Sequence, residues 1–354
     1  MKFIDECQDE YTKEYFLKLI SLLREIKVIT ENNTSQLKRK EIDSITIKLT
    51  NSCNLKCVHC VASCGGNQSN ELTIKDVVEI IDWCNEQKVK AISLTGGEIF
   101  TKKDIIDIIQ YIGKKFTGKL YIMTNGVLID DKVTQNIKDY IHGVDISLDG
   151  YNETSVEKIR GKGVYKKVLN AIDCLHKCNI KEISLSMVLT KENKQHVEEF
   201  RKLCSSLNVK DMLRVLMPEG RAYDNYDDLC DEDVENIQMS KEELKEKQRE
   251  YNFKATCASI NEKIMINEKM EVYPCPLLEK AEYYKGNANE LYLNQMKEIE
   301  TKVVVDEIDS CKQCDIRYFC ASNCVAMDQA IFLDNRLREI RCKKSKQLFN
   351  CVWE

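Results

Sequence analysis

The chain has 354 residues, with 18 cysteines, thirteen glycines and three prolines. Hydrophobic residues at 43% and charged residues at 31% exclude a disordered or collagen-like chain, and a chain this long does not need disulfides to staple it. A formal net charge of −5 leaves no basic footprint for nucleic acid or an anionic membrane.

The opening MKFIDECQDE is charged and lacks the apolar run of a secretory signal. No apolar run approaches the roughly 18 residues of a membrane span. The expectation is a cytoplasmic protein. In a reducing compartment, many cysteines mean metal or redox chemistry more often than disulfides.

An amphipathic helix is predicted over about 10–26, followed by a polar Asn/Thr/Ser stretch. SITIKLT (44–50) alternates apolar and polar residues and reads as a strand. A helix over 74–87 follows, with Thr73 as its N-cap. The alternation continues with strands at 91–95, 120–124, 144–148, 182–189 and 212–217. Helices are predicted near 103–115, 131–141, 164–178 and 193–206, and a last one beyond 230. Six strand-plus-helix steps imply parallel strands with right-handed crossovers. An open doubly wound sheet and a barrel both satisfy this pattern, and periodicity does not separate them. Residues 222–252 are strongly charged and read as a solvated helical connection, after which cysteines crowd in. The expected division is a helical segment at 1–43, an α/β unit at 44–222, the connection at 223–252 and a cysteine-rich unit at 253–354.

Directly after the first strand, LTNSCNLKCVHC carries Cys53, Cys57 and Cys60 in C-x3-C-x2-C spacing. Three thiolates on one short loop can hold a metal or cluster and leave one coordination position open. A structural zinc loop or three reduced thiols are the bland alternatives. Gly96, Gly97 and Glu98 end the second strand, Asn125 follows the third, and Ser147 precedes Asp149 and Gly150 at the end of the fourth, with Arg160 beyond. Polar groups thus gather at the C-terminal ends of successive strands, where barrels build their chemistry.

Together CNLKCVHC, GGE and SLDG with its following Arg resemble the radical S-adenosylmethionine (SAM) enzymes, over about residues 44–220. The resemblance implies a partial (β/α)6 TIM-type barrel. It implies that Cys53, Cys57 and Cys60 bind a [4Fe–4S] cluster whose open iron is chelated by SAM. Gly96, Gly97 and Glu98 would accept hydrogen bonds from the substrate amine, Arg160 would pair with a carboxylate, and Asn125 and Ser147 would contact the ribose. An external electron donor of flavodoxin or ferredoxin type is implied. So is cleavage of SAM to a 5′-deoxyadenosyl radical that abstracts hydrogen.

The C-terminal cysteines are Cys257, Cys275, Cys311, Cys314, Cys320, Cys324 and Cys342, with a C-x2-C-x5-C-x3-C core. Alone they also admit a pair of zinc sites, since zinc and iron–sulfur spacings overlap. Beside the first triad they resemble the SPASM extension, which carries two auxiliary [4Fe–4S] clusters. That likeness implies Cys257, Cys275 and Cys324 on the first, and Cys311, Cys314, Cys320 and Cys342 on the second. Met270 stands where the extension usually has a glycine, so a differently shaped hairpin is expected. Either Cys230 completes the first auxiliary cluster or that cluster keeps an open iron.

Cys84, Cys174, Cys178 and Cys204 fall on predicted helices and read as packing residues. Cys64, four residues past the triad, reads as packing first and as a candidate hydrogen donor second. His59 is expected to pack against the cofactor. The resemblance implies a maturase that installs a thioether or other crosslink in a ribosomally made peptide or protein substrate. Only 43 residues precede the first predicted strand, short for the peptide-recognition domain of many such maturases, so a separate recognition protein or direct recognition is expected. The alternatives are a sulfatase-maturing or small-molecule member, and a non-catalytic iron–sulfur or zinc protein.

Overall fold

The computed structural model describes residues 10–25, 42–66, 70–230, 263–290 and 311–317, with single positions between 339 and 350. Cys257, Cys320, Cys324 and the charged stretch 231–252 lie outside the described residues. Helix α1 (Glu10–Glu25) belongs to an N-terminal unit that ends at Lys40, and a Glu14–Lys18 ion pair at i,i+4 spacing lies along it.

The second unit begins at Glu41 and carries the sheet. Its first strands are β1 (Ser44–Lys48), β2 (Ala91–Thr95), β3 (Lys119–Thr124), β4 (Gly143–Ser147), β5 (Glu182–Leu189) and β6 (Lys210–Val215). The helices between them are α2 (Ile74–Glu86), α3 (Ile105–Lys115), α4 (Asp131–Ile137), α5 (Glu153–Arg160), α6 (Val164–Lys177) and α7 (Val197–Ser206). Each has a local reason. Thr73 and Asp76 close a capping box on α2, and Asp130 caps α4. In α3, Ile105, Ile108, Ile109 and Ile112 recur at helical spacing and are buried. Helix α5 was not anticipated. Its signal is the Asn152–Ser155 capping box, which is polar and so escapes a search for apolar periodicity.

The predicted last strand sits two residues late. MLRVLM is apolar to its end, but pairing with β5 fixes the register from Ser184↔Lys210 to Leu189↔Val215. Met217 has already left the strand. After it come two single-turn helices, α8 (Arg221–Asp224) and α9 (Tyr226–Leu229).

Strand order decides between the two closures. The sheet runs β6-β5-β4-β3-β2-β1-β7-β8-β9, where β7 is Lys263–Ile266, β8 is Glu271–Tyr273 and β9 is Gly286–Asn287. From β1 to β6 every strand lies beside its predecessor and pairs in parallel. A doubly wound sheet would reverse at a switch point. Sequential winding is the barrel type. β7 continues the sheet in parallel on the other side of β1, and β8 and β9 add to it antiparallel. The cysteine-rich part therefore begins as an extension of the same sheet. The sheet also curls: Met217, just past β6, packs in one cluster with Met265 of β7, Tyr273 of β8 and Leu278. The segment just past β6 thus meets β7, six places away in the sheet, across the mouth, as in a partial barrel.

The two sheet faces differ. Ile45, Ile47, Ile92, Leu94, Ile122 and Ile146 point to the helices and are at most 1% exposed. Each such side chain contributes about 1.5–3 kcal/mol. The other face carries Lys48, Thr95, Asp145, Ser147, Ser186 and Arg214, at alternate positions of the same strands.

Met270 sits in the left-handed backbone region that glycine enters without strain. Met270 adopts φ +63° and Asn267 closes the turn by accepting from Lys269 N and Glu271 N. The cost of the left-handed backbone, about 1–2 kcal/mol, is offset by a side chain buried in the main core.

Candidate functional site

The loop after β1 carries Cys53, Cys57 and Cys60, none in a disulfide. It is stitched from several sides. Cys53 N donates to Gly66 O at 3.2 Å, and Val58 N donates to Ile159 O at 3.1 Å. From beyond β6, Arg221 N donates to Cys60 O at 3.0 Å and Arg221 Nε to Cys57 O at 2.9 Å. Asn225 Nδ2 donates to Val58 O at 3.1 Å. A Cβ on Gly220 would fall 2.3 Å from Val61 O, so this approach requires glycine.

The two glycines after β2 serve the same loop. Gly97 N donates to Thr50 O and Glu98 N to Ser52 O, both at 2.8 Å. A Cβ on Gly97 would sit 2.3 Å from Ser52 O. Glu98 is buried and accepts from Thr124 Oγ1, from Asn125 N at 2.7 Å and from Phe100 N at 3.1 Å. Burial pushes its carboxyl above the ordinary range, against those donors. Asn125 Nδ2 donates to Asn54 Oδ1 at 2.8 Å, bringing the end of β3 onto the loop.

Arg160, the last residue of α5, is buried and reaches the loop directly. Its Nη1 lies 3.9 Å from Cys57 Sγ and its Nε donates to Asp149 Oδ2 at 2.6 Å. The same oxygen accepts from His59 Nε2 at 2.6 Å. Asp149 is fully buried, and burial alone would raise its carboxyl. Arg160 and His59 outweigh that and hold it well below the usual range. His59 thus binds a carboxylate, and its Nδ1 has no hydrogen-bond partner among the described residues. Ser147 lies on the inner face, half-buried, with Ser186 Oγ at 3.5 Å. Of the predicted site residues, Gly96, Gly97, Glu98 and Asn125 at strand ends and Arg160 at the end of α5 gather on the cysteine loop.

Sequence reasoning missed His59–Asp149, Arg221 and Asn225 as parts of this assembly. It also missed a polar network beneath. Lys48 Nζ lies 2.8 Å from Glu279 Oε2 and 3.1 Å from Glu268 Oε2, and Asn51 Nδ2 donates to Glu268 Oε1 at 2.5 Å. This joins β1 and the cysteine loop to the segment that carries Cys275.

The thiols differ. Burial raises Cys53 and Cys57, the latter opposed by Arg160. Cys60 is pulled down to about 5, chiefly by the hydrogen bond from the Cys64 thiol. Cys64 is 5% exposed and turned toward Asn51 Oδ1 at 3.6 Å. Cys84, Cys174 and Cys204 are buried helix residues, whereas Cys178 caps α6 and accepts from Gln135 Nε2. Cys230 Sγ contacts Tyr226 Oη at 3.0 Å. Cys275 is half-buried at the end of β8, Cys311 and Cys314 share a tight turn, and Cys342 is exposed.

Among the described residues no three ligand side chains converge on one point as a single metal ion needs. A four-iron cube takes one thiolate per iron, so its thiolates stand apart around it. Three unpaired thiols on one loop, with Leu55 N donating to Cys53 Sγ at 3.4 Å and Arg160 at Cys57, fit that group.

Residues 47–204 match the profile of the Radical SAM superfamily. The chain is 32% identical over 187 residues to mycofactocin maturase MftC of Mycolicibacterium smegmatis, covering 52% of this chain and 47% of that protein. It spans about half the length of the curated relatives it matches. Its fold is similar to that of Streptococcus suis SuiB bound to precursor peptide SuiA, with TM-score 0.61, 15% identity, 91% of this chain and 78% of that one. It is also similar to anSMEcpe with bound AdoMet, with TM-score 0.60, 17% identity, and 87% and 99% covered. No described helix is long and apolar enough to cross a membrane.

Proposed function

We propose, from the match of residues 47–204 to the Radical SAM superfamily, that the chain is a maturase of a ribosomally made peptide. Cys53, Cys57 and Cys60 would hold a [4Fe–4S] cluster with SAM at its open iron. A cluster held by these three thiolates would supply the electron for cleaving SAM to a radical that abstracts hydrogen from the peptide. The observation that carries the reading is the cysteine loop itself: three unpaired thiols packed under Gly96–Gly97 and Arg160.

The protein's own groups orient and shield. Gly97 lets the turn after β2 sit on the loop, and Glu98 fixes that turn to the end of β3. Arg221 and Asn225 donate to the loop carbonyls and so fix the backbone around the thiols. Ser147, Ser186, Asp145 and the Arg214 that pairs with it line an inner face of hydrogen-bonding groups. Such groups suit the polar backbone of a peptide. Gly96, Gly97, Glu98, Asn125, Ser147 and Arg160 are proposed to contact SAM. Cys275, Cys311, Cys314 and Cys342, with Cys257, Cys320 and Cys324, are proposed to hold two auxiliary clusters, and a flavodoxin- or ferredoxin-type donor to supply electrons. The modification proposed is a thioether or another crosslink.

The likeness to MftC and the SuiB fold supports this reading. The test is anaerobic: reconstituted protein, dithionite and SAM. Release of 5′-deoxyadenosine, and a mass loss in a candidate precursor peptide, is the expected result. Stoichiometric zinc with no 5′-deoxyadenosine rejects the proposal.

A further inference from the structure

Asp149 is buried at φ +64°, a backbone region that Asp and Asn enter more readily than most residues. Both its oxygens are in use. Oδ2 accepts from His59 Nε2 and from Arg160 Nε, each at 2.6 Å, and Oδ1 accepts from Val188 N at 2.6 Å. Its carbonyl accepts from Asn193 Nδ2 at 3.2 Å. One residue therefore ties together the cysteine loop, the end of α5 and the end of β5.

The consequence falls on Arg160. Binding through Nε leaves the Nη edge of the guanidinium to face Cys57 Sγ, at 3.9 Å. A guanidinium can serve two acceptors on two edges in this way, whereas a lysine ammonium is a point charge. Without its carboxylate, a buried guanidinium has no fixed direction and an uncompensated charge. Hydrogen bonds and positive charge at a cluster's sulfurs stabilise the reduced state and raise its potential.

We infer that Asp149 is a positioning residue for the redox site: it aims Arg160 at the Cys57 sulfur and anchors His59, and so sets the potential of the cluster that the loop binds. The inference rests on the reading of Cys53, Cys57 and Cys60 as cluster ligands. His59 contributes from the loop side, which links the loop's position to that of Arg160.

The test uses the full chain, reconstituted with iron and sulfide and followed by EPR with and without SAM. The signal that SAM perturbs identifies the cluster in question. Asp149→Asn is the informative variant, because Asn tolerates the same backbone while it removes the charge and one of the two acceptor oxygens that hold Arg160, His59 and Val188. The expected result is wild-type iron content, a midpoint shifted to less negative potential because the Arg160 charge beside Cys57 is no longer compensated, and a smaller SAM-induced spectral change. An unaltered midpoint and an unaltered SAM response overturn the inference. Should Asp149→Asn fail to take up iron, Arg160→Lys carries the same reading: a shifted midpoint supports it, and an unshifted one overturns it. A wild-type chain with no SAM-perturbed signal overturns the cluster reading and this inference with it.

Discussion

The two faces of the sheet are built on different principles. The outer face is a repeat of Ile, Leu and Val at alternate positions, each buried under a helix that follows in the chain. The inner face and mouth hold charges and amides whose partners lie far away: Lys48 with Glu279, His59 with Asp149, Cys57 with Arg160 and Arg221. The outer face gains stability from area, which many residues share. The inner face depends on pairing, so the loss of one partner strands another in the interior. The fold is therefore redundant, while the site is not.

The comparison breaks most readily at Lys48. Lys48→Met leaves Glu268 and Glu279 without their cation, one of them nearly fully buried. A loss of about 3–5 kcal/mol is expected, read by urea unfolding of the cluster-free protein. A loss under about 1 kcal/mol would mean that water already screens the pair. On the outer face, Leu94→Ala removes a wholly buried side chain. It should cost about 2–5 kcal/mol while leaving the thiols equally reactive to a maleimide probe, since no site residue moves. Altered thiol reactivity would show the two faces to be coupled.

Acid titration sharpens the contrast. Asp149 is held below the usual carboxylate range, so its contribution is fully present above about pH 4 and is lost as pH falls through its lower folded value. Asp149→Asn should lie below wild type in stability at neutral pH, with the gap narrowing as the solution is acidified. A gap constant with pH would remove the charge argument. The smallest effect is expected at Met270→Gly, which relieves a left-handed backbone worth about 1–2 kcal/mol and gives up a buried side chain worth about 1.5–3 kcal/mol. The net change should be near 1 kcal/mol, destabilising, and a clear stabilisation would place the strain above the packing.

What could be read from the sequence follows the same division. Strands β2 and β5 fall at the residues predicted, because period-two alternation is local. The cysteine triad, the double glycine and Arg160 were recognisable from local spacing, and the structure brings them together. Asp149 and His59 are 90 positions apart, and no pattern in either neighbourhood announces the other. A hint existed: Asp149 stands before a glycine just past a strand, where a left-handed turn is common. Arg221 and Asn225 fall at the margin of a stretch read as solvated because of its charge, yet they close the cysteine loop. Strand β7 has four residues and no following helix, so the alternation gave no sign that the sheet continues beyond β1.

On the proposed function, SAM meets iron at the loop of Cys53, Cys57 and Cys60. The most direct measurement is EPR of the dithionite-reduced, reconstituted chain with and without SAM, for wild type and for a variant with all three cysteines changed to Ala. The account predicts a SAM-dependent change in the wild-type spectrum and none in the variant, which should also release no 5′-deoxyadenosine. A variant that keeps the SAM-dependent signal would contradict it.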